Sequence, residues 1–263
     1  MHGPLLGHTL TELALLLVAA VLVGFAKTAI GGVASISVAI FAAVLPARES
    51  TGALLPLLIV GDLFALSAYR SHADWRLILR LVPTVVVGIG IGAYFVARVD
   101  DTVMRRTIGV VLLGLVAMSL WTRARRVSVE GAAVTGTAAV ATVSPLRRRA
   151  AAAVYGALTG FTTMVANAGG PVMSLYMIAT RMPMLTFLGT GAWLFAVFNV
   201  VKVPFMVGLG LLTPGSLALD AALVPALLLG ALVGRRVIRR IDQALFERLV
   251  LVVTVVSSLN LVR

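Results

Sequence analysis

Cysteine is absent from this chain of 263 residues, which excludes disulfides, thiolate metal sites and cysteine-dependent catalysis. Charged residues are also scarce, since Asp, Glu, Lys and Arg make up 12% of the chain, whereas a soluble domain has roughly 25%. Hydrophobic residues account for 60% and the mean hydropathy is +1.06. A chain of this composition cannot cover a water-facing surface, so we predict an integral membrane protein.

Lysine is scarce as well. Only Lys27 and Lys202 occur, and both lie inside apolar segments, while the arginines cluster in the short loops between such segments. The formal net charge of +12 therefore indicates membrane topology and contact of the basic loops with anionic lipids, and not nucleic-acid binding. The histidines have no metal-ligand spacing and no Ser/His/Asp arrangement is evident. We accordingly expect no metal, no cofactor and no enzymatic activity.

The apolar segments follow one another along the whole chain. Crossing the hydrocarbon core takes roughly 20 residues, and segments 33–45 and 171–180 fall short of that length. We interpret both as half-helices or as short, steeply packed helices. The fold class is predicted as an all-α polytopic membrane protein with 8–10 membrane segments, drawn from residues 13–29, 33–45, 51–70, 77–97, 103–121, 150–168, 171–180, 185–207, 217–234 and 244–262.

Two glycine-rich stretches interrupt the apolar pattern. Gly24–Gly32 and Gly160–Pro171 both begin with Gly-Phe and both contain a glycine pair. Unpaired backbone is costly in hydrocarbon, so such a break survives only where it lines a cavity inside the protein. Broken helices at matching positions of two halves are typical of a transporter's binding site. We therefore predict two homologous halves, each with a helix broken at its glycine pair: a first transmembrane repeat at 1–121, a basic interfacial linker at 122–149 and a second repeat at 150–263.

The arginine distribution bears on the number of crossings. If each glycine hairpin crosses the membrane twice, the chain has ten crossings, and fifteen arginines fall on one side against five on the other. If each hairpin counts as one crossing, the two sides are nearly even. The bias favours ten crossings with both termini outside, and eight crossings is the alternative.

Lys27 is the first candidate for binding chemistry. A charged residue at the centre of a membrane helix costs about 2.5–3.5 kcal/mol and usually faces a cavity. The neighbouring Thr28, Gly31 and Gly32 would lie beside the N-terminus of the following helix, whose free N–H groups attract anions. The alternative is that Lys27 extends its ammonium group to the membrane interface.

Polar residues of the second half form the other part of the candidate site. Asn199 precedes Lys202 by three residues, so both lie on the same helical face. Asn167 belongs to the second glycine stretch together with Gly169 and Gly170. Its amide would either hydrogen-bond a ligand or cap a helix that starts after the glycine pair.

Asp62 is the most isolated acid, in an apolar run with no other charge. We expect it to pair with Lys27 or Lys202 as a structural ion pair, or to carry a coupled proton. The glycine pairs Gly88/Gly92 and Gly230/Gly234 have the spacing of close helix packing and are assigned to packing rather than to ligand binding.

The order of these motifs resembles the TauE/SafE family of sulfite exporters and related anion permeases, over about residues 13–262. The resemblance implies two homologous halves and transport of small anions, often sulfur-containing. The chain departs from the family pattern in two places: Lys27 stands in the first break, and Leu212-Thr213-Pro214-Gly215 replaces a second Asp-Trp loop. The matching residues are Gly24-Phe25, Gly31-Gly32, Ser50-Thr51-Gly52-Ala53, Asp74-Trp75-Arg76, Gly88, Gly92, Gly160-Phe161, Gly169-Gly170-Pro171, Gly189-Thr190-Gly191-Ala192, Gly230 and Gly234.

These observations predict a multi-pass secondary transporter of the bacterial inner (plasma) membrane. Its predicted substrate is a small sulfur-containing or organic oxyanion such as sulfite, sulfonate or carboxylate, moved by alternating access around the two broken helices. Lys27 would supply positive potential, and protons coupled through Asp62 are a candidate driving ion. A homodimer is kept open. Two alternatives stand beside this interpretation: a transporter of cations or neutral solutes that uses Asp62 as a ligand, and a non-transporting membrane assembly or scaffold protein.

Overall fold

Helices are the only regular secondary structure in the computed structural model, which describes residues 9–28, 34–132, 145–179 and 182–237. The predicted last segment, 244–262, lies outside the described residues, as do Gly31 and Gly32. The helices are α1 (Leu10–Thr28), α2 (Ala34–Val44), α3 (Ala47–Tyr69), α4 (Trp75–Arg98), α5 (Asp101–Ala132), α6 (Pro145–Ala166), α7 (Gly169–Ala179), α8 (Met184–Gly208) and α9 (Pro214–Val237), with a 3₁₀ turn at Arg70–His72.

Several of these helices begin at capping residues that the sequence places there. Thr9 and Glu12 form a reciprocal capping box before α1, with hydrogen bonds of 2.8 and 3.3 Å. The Asp74 carboxylate accepts the Leu77 N–H at 3.1 Å and caps α4. Before α9, the Thr213 and Ser216 hydroxyls exchange hydrogen bonds with each other's backbone N–H. Such caps satisfy N–H groups that a helix start leaves without intrahelical partners.

Five of the described helices are long and apolar enough to cross a membrane, namely α1, α3, α4, α8 and α9. Large apolar side chains are exposed along them; Leu79 is 70% accessible and Leu229 is 62% accessible. In water such exposure would be unfavourable, whereas facing lipid it is not. The predicted all-α membrane protein is confirmed.

The two short helices fold back beside the helices that precede them. The Ser37 hydroxyl in α2 donates to the Ala19 carbonyl in α1 at 2.9 Å, and Gly169 at the start of α7 packs against Thr159 and Thr163 of α6. Each short helix has 11 residues. Such a helix is roughly 16 Å long, about half the hydrocarbon core. Their geometry is that of short, packed helices rather than of complete spans.

Glycines allow the closest helix contacts. A methyl group added at Gly24 of α1 would lie 1.9 Å from the Leu227 carbonyl oxygen of α9, and one added at Gly88 of α4 would lie 2.1 Å from the Ala157 carbonyl oxygen of α6. A methyl group added at Gly92, Gly230 or Gly234 would likewise lie 2.8 Å or less from an atom of a neighbouring helix. The packing role predicted for the spaced glycines is confirmed, because no side chain fits at these contacts.

The linker region differs from the expectation at its start. Helix α5 continues to Ala132, so the first part of the predicted linker at 122–149 is helical, and α6 begins inside it at Pro145. The sequence from Val116 to Glu130 contains neither glycine nor proline. The change from apolar to basic residues at Trp121 therefore does not end the helix, because basic and apolar residues have similar helix propensities.

Candidate functional site

A cavity of about 190 Å³ lies where the end of α1, the α6–α7 junction, α3 and α8 meet. Both halves of the chain line it. The polar side chains around it include Lys27, Asp62, Asn167 and Asn199, and apolar walls come from residues such as Phe195. The cavity therefore gathers predicted site residues that are far apart in the sequence.

Lys27 reaches this cavity from the last turn of α1 and is bonded to Asp62. Its ammonium nitrogen forms an ion pair and hydrogen bond with Asp62 Oδ1, and it lies 5.6 Å from the centroid of the Phe195 ring. Gly61 makes room for the lysine, since a methyl group there would lie 2.8 Å from Lys27 Cγ. The Lys27 side chain is 15% exposed and that of Asp62 is 2% exposed. Of the two partners expected for Asp62, the structure brings Lys27 to it.

A continuous chain of polar side chains runs onward from Asp62. The Asn199 Nδ2 group donates to Asp62 Oδ2 at 2.6 Å. The Asn199 Oδ1 atom accepts from Lys202 Nζ at 3.5 Å, and Lys202 Nζ also donates to Asn167 Oδ1. We call Lys27, Asp62, Asn199, Lys202 and Asn167 the polar chain. Buried polar groups need such partners, because an unpaired one costs about 1–3 kcal/mol.

Asn167 has a role in the backbone as well as in the polar chain. Its φ of +48° is in the left-handed region, where asparagine is tolerated better than most residues. Its N–H bonds to the Thr163 carbonyl at 3.1 Å and the Ala168 N–H to the Thr162 carbonyl at 3.2 Å. Asn167 thus ends α6. Its side-chain amide donates to the Thr51 carbonyl at 3.0 Å instead of capping the start of α7, which was the alternative expected from the sequence.

The remaining predicted residues have different positions. Gly169 and Gly170 form the first turn of α7 and line the cavity, so the partial positive charge of a helix N-terminus lies at its wall. Thr28 also lines it, and its hydroxyl donates to the Ala231 carbonyl at 3.1 Å, which joins α1 to α9. Lys202 is fully buried and does not line the cavity.

Several lining residues were not predicted from the sequence. Ser35 and Ser174 both line the cavity. Each follows a glycine pair by three or four residues, and this recurrence in both halves was a signal that the sequence offered. Tyr69 and Phe195 also line it, but nothing distinguishes them in sequence from other aromatic residues of membrane helices.

Asp220 is a second buried acid that sequence reasoning missed. It lies on α9 with 3% exposure, and neither carboxylate oxygen has a hydrogen-bond partner within the part of the chain that the structure describes. It is outside the cavity lining. In the same described part, no group of three or more His, Asp or Glu side chains is arranged to hold a metal ion.

Comparison with known proteins gives one result. A family model described as "Sulfite exporter TauE/SafE" matches residues 16–261. The comparison with curated proteins and the comparison with solved structures found no significant match.

Proposed function

Because this chain belongs to the TauE/SafE family of sulfite exporters and is therefore a membrane transporter, we propose that it is a secondary transporter of a small anion. The proposed substrate is a sulfur-containing or organic oxyanion such as sulfite, a sulfonate or a carboxylate. The observation that carries the proposal is the cavity of about 190 Å³ that gathers Lys27, Asn167, Asn199 and the first turn of α7.

The groups around the cavity favour a negatively charged ligand. Lys27 supplies an ammonium group, and Gly169 and Gly170 supply the N-terminal end of α7. Anions bind where free N–H groups and a helix dipole point at them. The same arrangement recurs in transporters whose short helices direct their N-termini at anionic substrate groups.

Asp62 favours proton coupling over cation binding. Both of its oxygens are engaged, one by Lys27 and the other by Asn199, so a cation would have to displace them. An anion entering the cavity would meet a carboxylate nearby and compete with it for Lys27. Protonation of Asp62 removes that repulsion and frees the ammonium group, which would couple anion movement to a proton moving in the same direction.

The reciprocal helix packing supports two repeated halves and alternating access. The first helix of the first half, α1, packs closely on α9 of the second, while α6, which begins the second half, packs on α4 of the first. Because each half packs a helix against the other half, the two halves enclose a central site between them. We propose that the halves move against each other around the cavity, as repeats do in other transporters.

The proposed setting is a bacterial inner membrane. The arginine-rich loops would face anionic lipid on one side. A homodimer remains part of the proposal, and crosslinking in native membranes followed by measurement of the mass of the product tests it.

Transport by purified protein in proteoliposomes tests the function. We expect uptake of radiolabelled sulfite or methanesulfonate to increase when the outside is acidified. Lys27→Gln combined with Asp62→Asn removes both charges of the pair, and we expect the double variant to lose about tenfold or more of the uptake rate, since hydrogen bonds to charged groups contribute about 1.5–3 kcal/mol. Arg98→Gln is the control, because this arginine lies over the Tyr94 ring and outside the cavity. Undiminished uptake by the double variant contradicts the proposed site, and no uptake of any tested anion by the wild type contradicts the function.

A further inference from the structure

The two buried amides beside the cavity have the same orientation. Asn167 and Asn199 both line the cavity, and both direct Oδ1 at Lys202 Nζ. Their Nδ2 groups donate elsewhere, to the Thr51 carbonyl and to Asp62. An asparagine amide can present either an acceptor or a donor to its surroundings. Lys202 and the two acceptors act in the same direction: the lysine nitrogen draws the oxygen of each amide towards itself, while the Thr51 carbonyl and Asp62 each hold an Nδ2 group.

The consequence concerns the groups that remain for a ligand. With both oxygens committed to Lys202, the second N–H of each Nδ2 group is what the amides can offer at the cavity. If the amides turned over, their oxygens would face an incoming anion and repel it. The orientation is therefore as important for anion binding as the presence of the amides.

Lys202 itself does not reach the ligand. Its side chain is fully buried on α8 and does not line the cavity, and Asn167 and Asn199 are its only hydrogen-bond partners among the described residues. A lysine that makes no ion pair destabilises a membrane helix, since an apolar residue of similar size would fill the same volume without the free-energy cost of burying a charge.

We propose that Lys202 is a positioning residue for anion selectivity: it holds the amides of Asn167 and Asn199 with their oxygens turned away from the cavity, so that the wall they form donates hydrogen bonds only. This inference rests on the proposed function, because it assumes that the cavity binds an anion. It assigns Lys202 a role different from direct contact with the substrate.

Binding measurements on donor-free and donor-retaining variants test the proposal. Lys202→Met keeps the length of the side chain but has no donor, and we expect it to weaken sulfite and methanesulfonate binding by about tenfold to a hundredfold. Lys202→Gln retains one N–H₂ group, and we expect a smaller loss. Met206→Leu is the control: it changes another fully buried side chain of α8, outside the polar chain, and should bind like the wild type.

A double-mutant cycle separates positioning from direct contact. If Lys202 acts through Asn199, the loss in Lys202→Met/Asn199→Ala should be no more than about twofold larger than in Lys202→Met alone. If Lys202 contacts the anion, the two losses should multiply, and that result overturns the proposal. The same cycle is run with Lys202→Gln, which decides the question should Lys202→Met not yield monodisperse protein.

The outcomes distinguish this inference from the proposed function. Wild-type protein that binds neither sulfite nor methanesulfonate contradicts both. Wild-type protein that binds one of them while Lys202→Met binds it equally well contradicts the positioning role only. Weakened binding in Lys202→Met, a smaller loss in Lys202→Gln and non-additivity with Asn199→Ala together support it.

Discussion

The ion pair between Lys27 and Asp62 should have an asymmetric effect on stability. Removing one partner of a buried pair leaves the other charge uncompensated, which costs about 3–5 kcal/mol. The two partners are not equally buried, since the Asp62 side chain is 2% exposed and the Lys27 side chain 15%. Lys27→Gln leaves the more buried charge, that of Asp62, without its lysine partner, and we expect it to be the more destabilising single substitution. In Asp62→Asn, the lysine keeps the Phe195 ring nearby and gains an amide oxygen as acceptor.

The expected size of the effect follows from the length of the chain. For proteins of 150–250 residues, 1 kcal/mol corresponds to a Tm change of roughly 2–4 °C, so Lys27→Gln should lower the Tm by about 6–20 °C. We expect Asp62→Asn to cost clearly less. The double variant Lys27→Gln/Asp62→Asn should recover most of the loss, because two neutral amides can hydrogen-bond to each other with no charge at either position.

Thermal unfolding of purified protein in detergent, followed by tryptophan fluorescence, measures these differences. Arg98→Gln serves again as the control for loss of a positive charge, and its Tm should stay close to that of the wild type. If the double variant is as unstable as Lys27→Gln, or if Asp62→Asn is the worse single variant, the uncompensated carboxylate is not the cause.

Three further predictions concern other features of the fold. Gly88→Ala should lower the Tm in the same assay, since its new methyl group would lie 2.1 Å from the Ala157 carbonyl oxygen. The matched control Gly90→Ala meets nothing within 4 Å and should be neutral or stabilising. Equal losses in the two variants would contradict the packing role of Gly88. Asn167→Gly should retain more stability than Asn167→Ala, because glycine adopts the φ of +48° without strain and alanine does not. Both variants should weaken sulfite binding, and a more stable alanine variant would contradict the backbone role. Asp220→Asn should leave the Tm unchanged or raise it, because it removes a buried acid that has no hydrogen-bond partner in the described residues; a marked fall in Tm would reveal a partner for the carboxylate.

The fold class was predictable because it depends on composition and periodicity. A chain with so few charges must place most of its surface in lipid, and in lipid only helices and closed barrels satisfy the backbone. Segment lengths then predicted α4 and α8 closely. The extension of α5 past Trp121 was not predicted, because a change in polarity was taken as the end of a helix although no backbone-breaking residue stands there.

The candidate site was predictable in part. Lys27, Asp62, Asn199 and Lys202 were selected because charge and amide groups are costly in a membrane helix and rarely occur there without a partner. Asn167 was selected for its place in the second glycine stretch. The sequence left open which of the two lysines pairs with Asp62, and it favoured neither a structural nor a binding role for Lys202. Asp220 was not predicted, because its burial depends on how α9 packs against other helices, and the local sequence does not determine that packing.

The sequence by itself determined that this protein lives in a membrane, that it is helical, and which few polar residues its apolar segments must accommodate, because hydrocarbon penalises each polar group wherever it lies along the chain. Only the tertiary structure decided the partners. Asp62 has one oxygen on Lys27 and the other on Asn199, and Lys202 is bonded to two amides rather than to the acid. Three of these contacts join residues 35 to 137 positions apart, and only the bond from Lys202 to Asn199 lies within one helix. Hydrogen-bond geometry acts over about 3 Å, so the packing of α1, α3, α6 and α8 had to bring the groups together before the chemistry of the cavity could be defined.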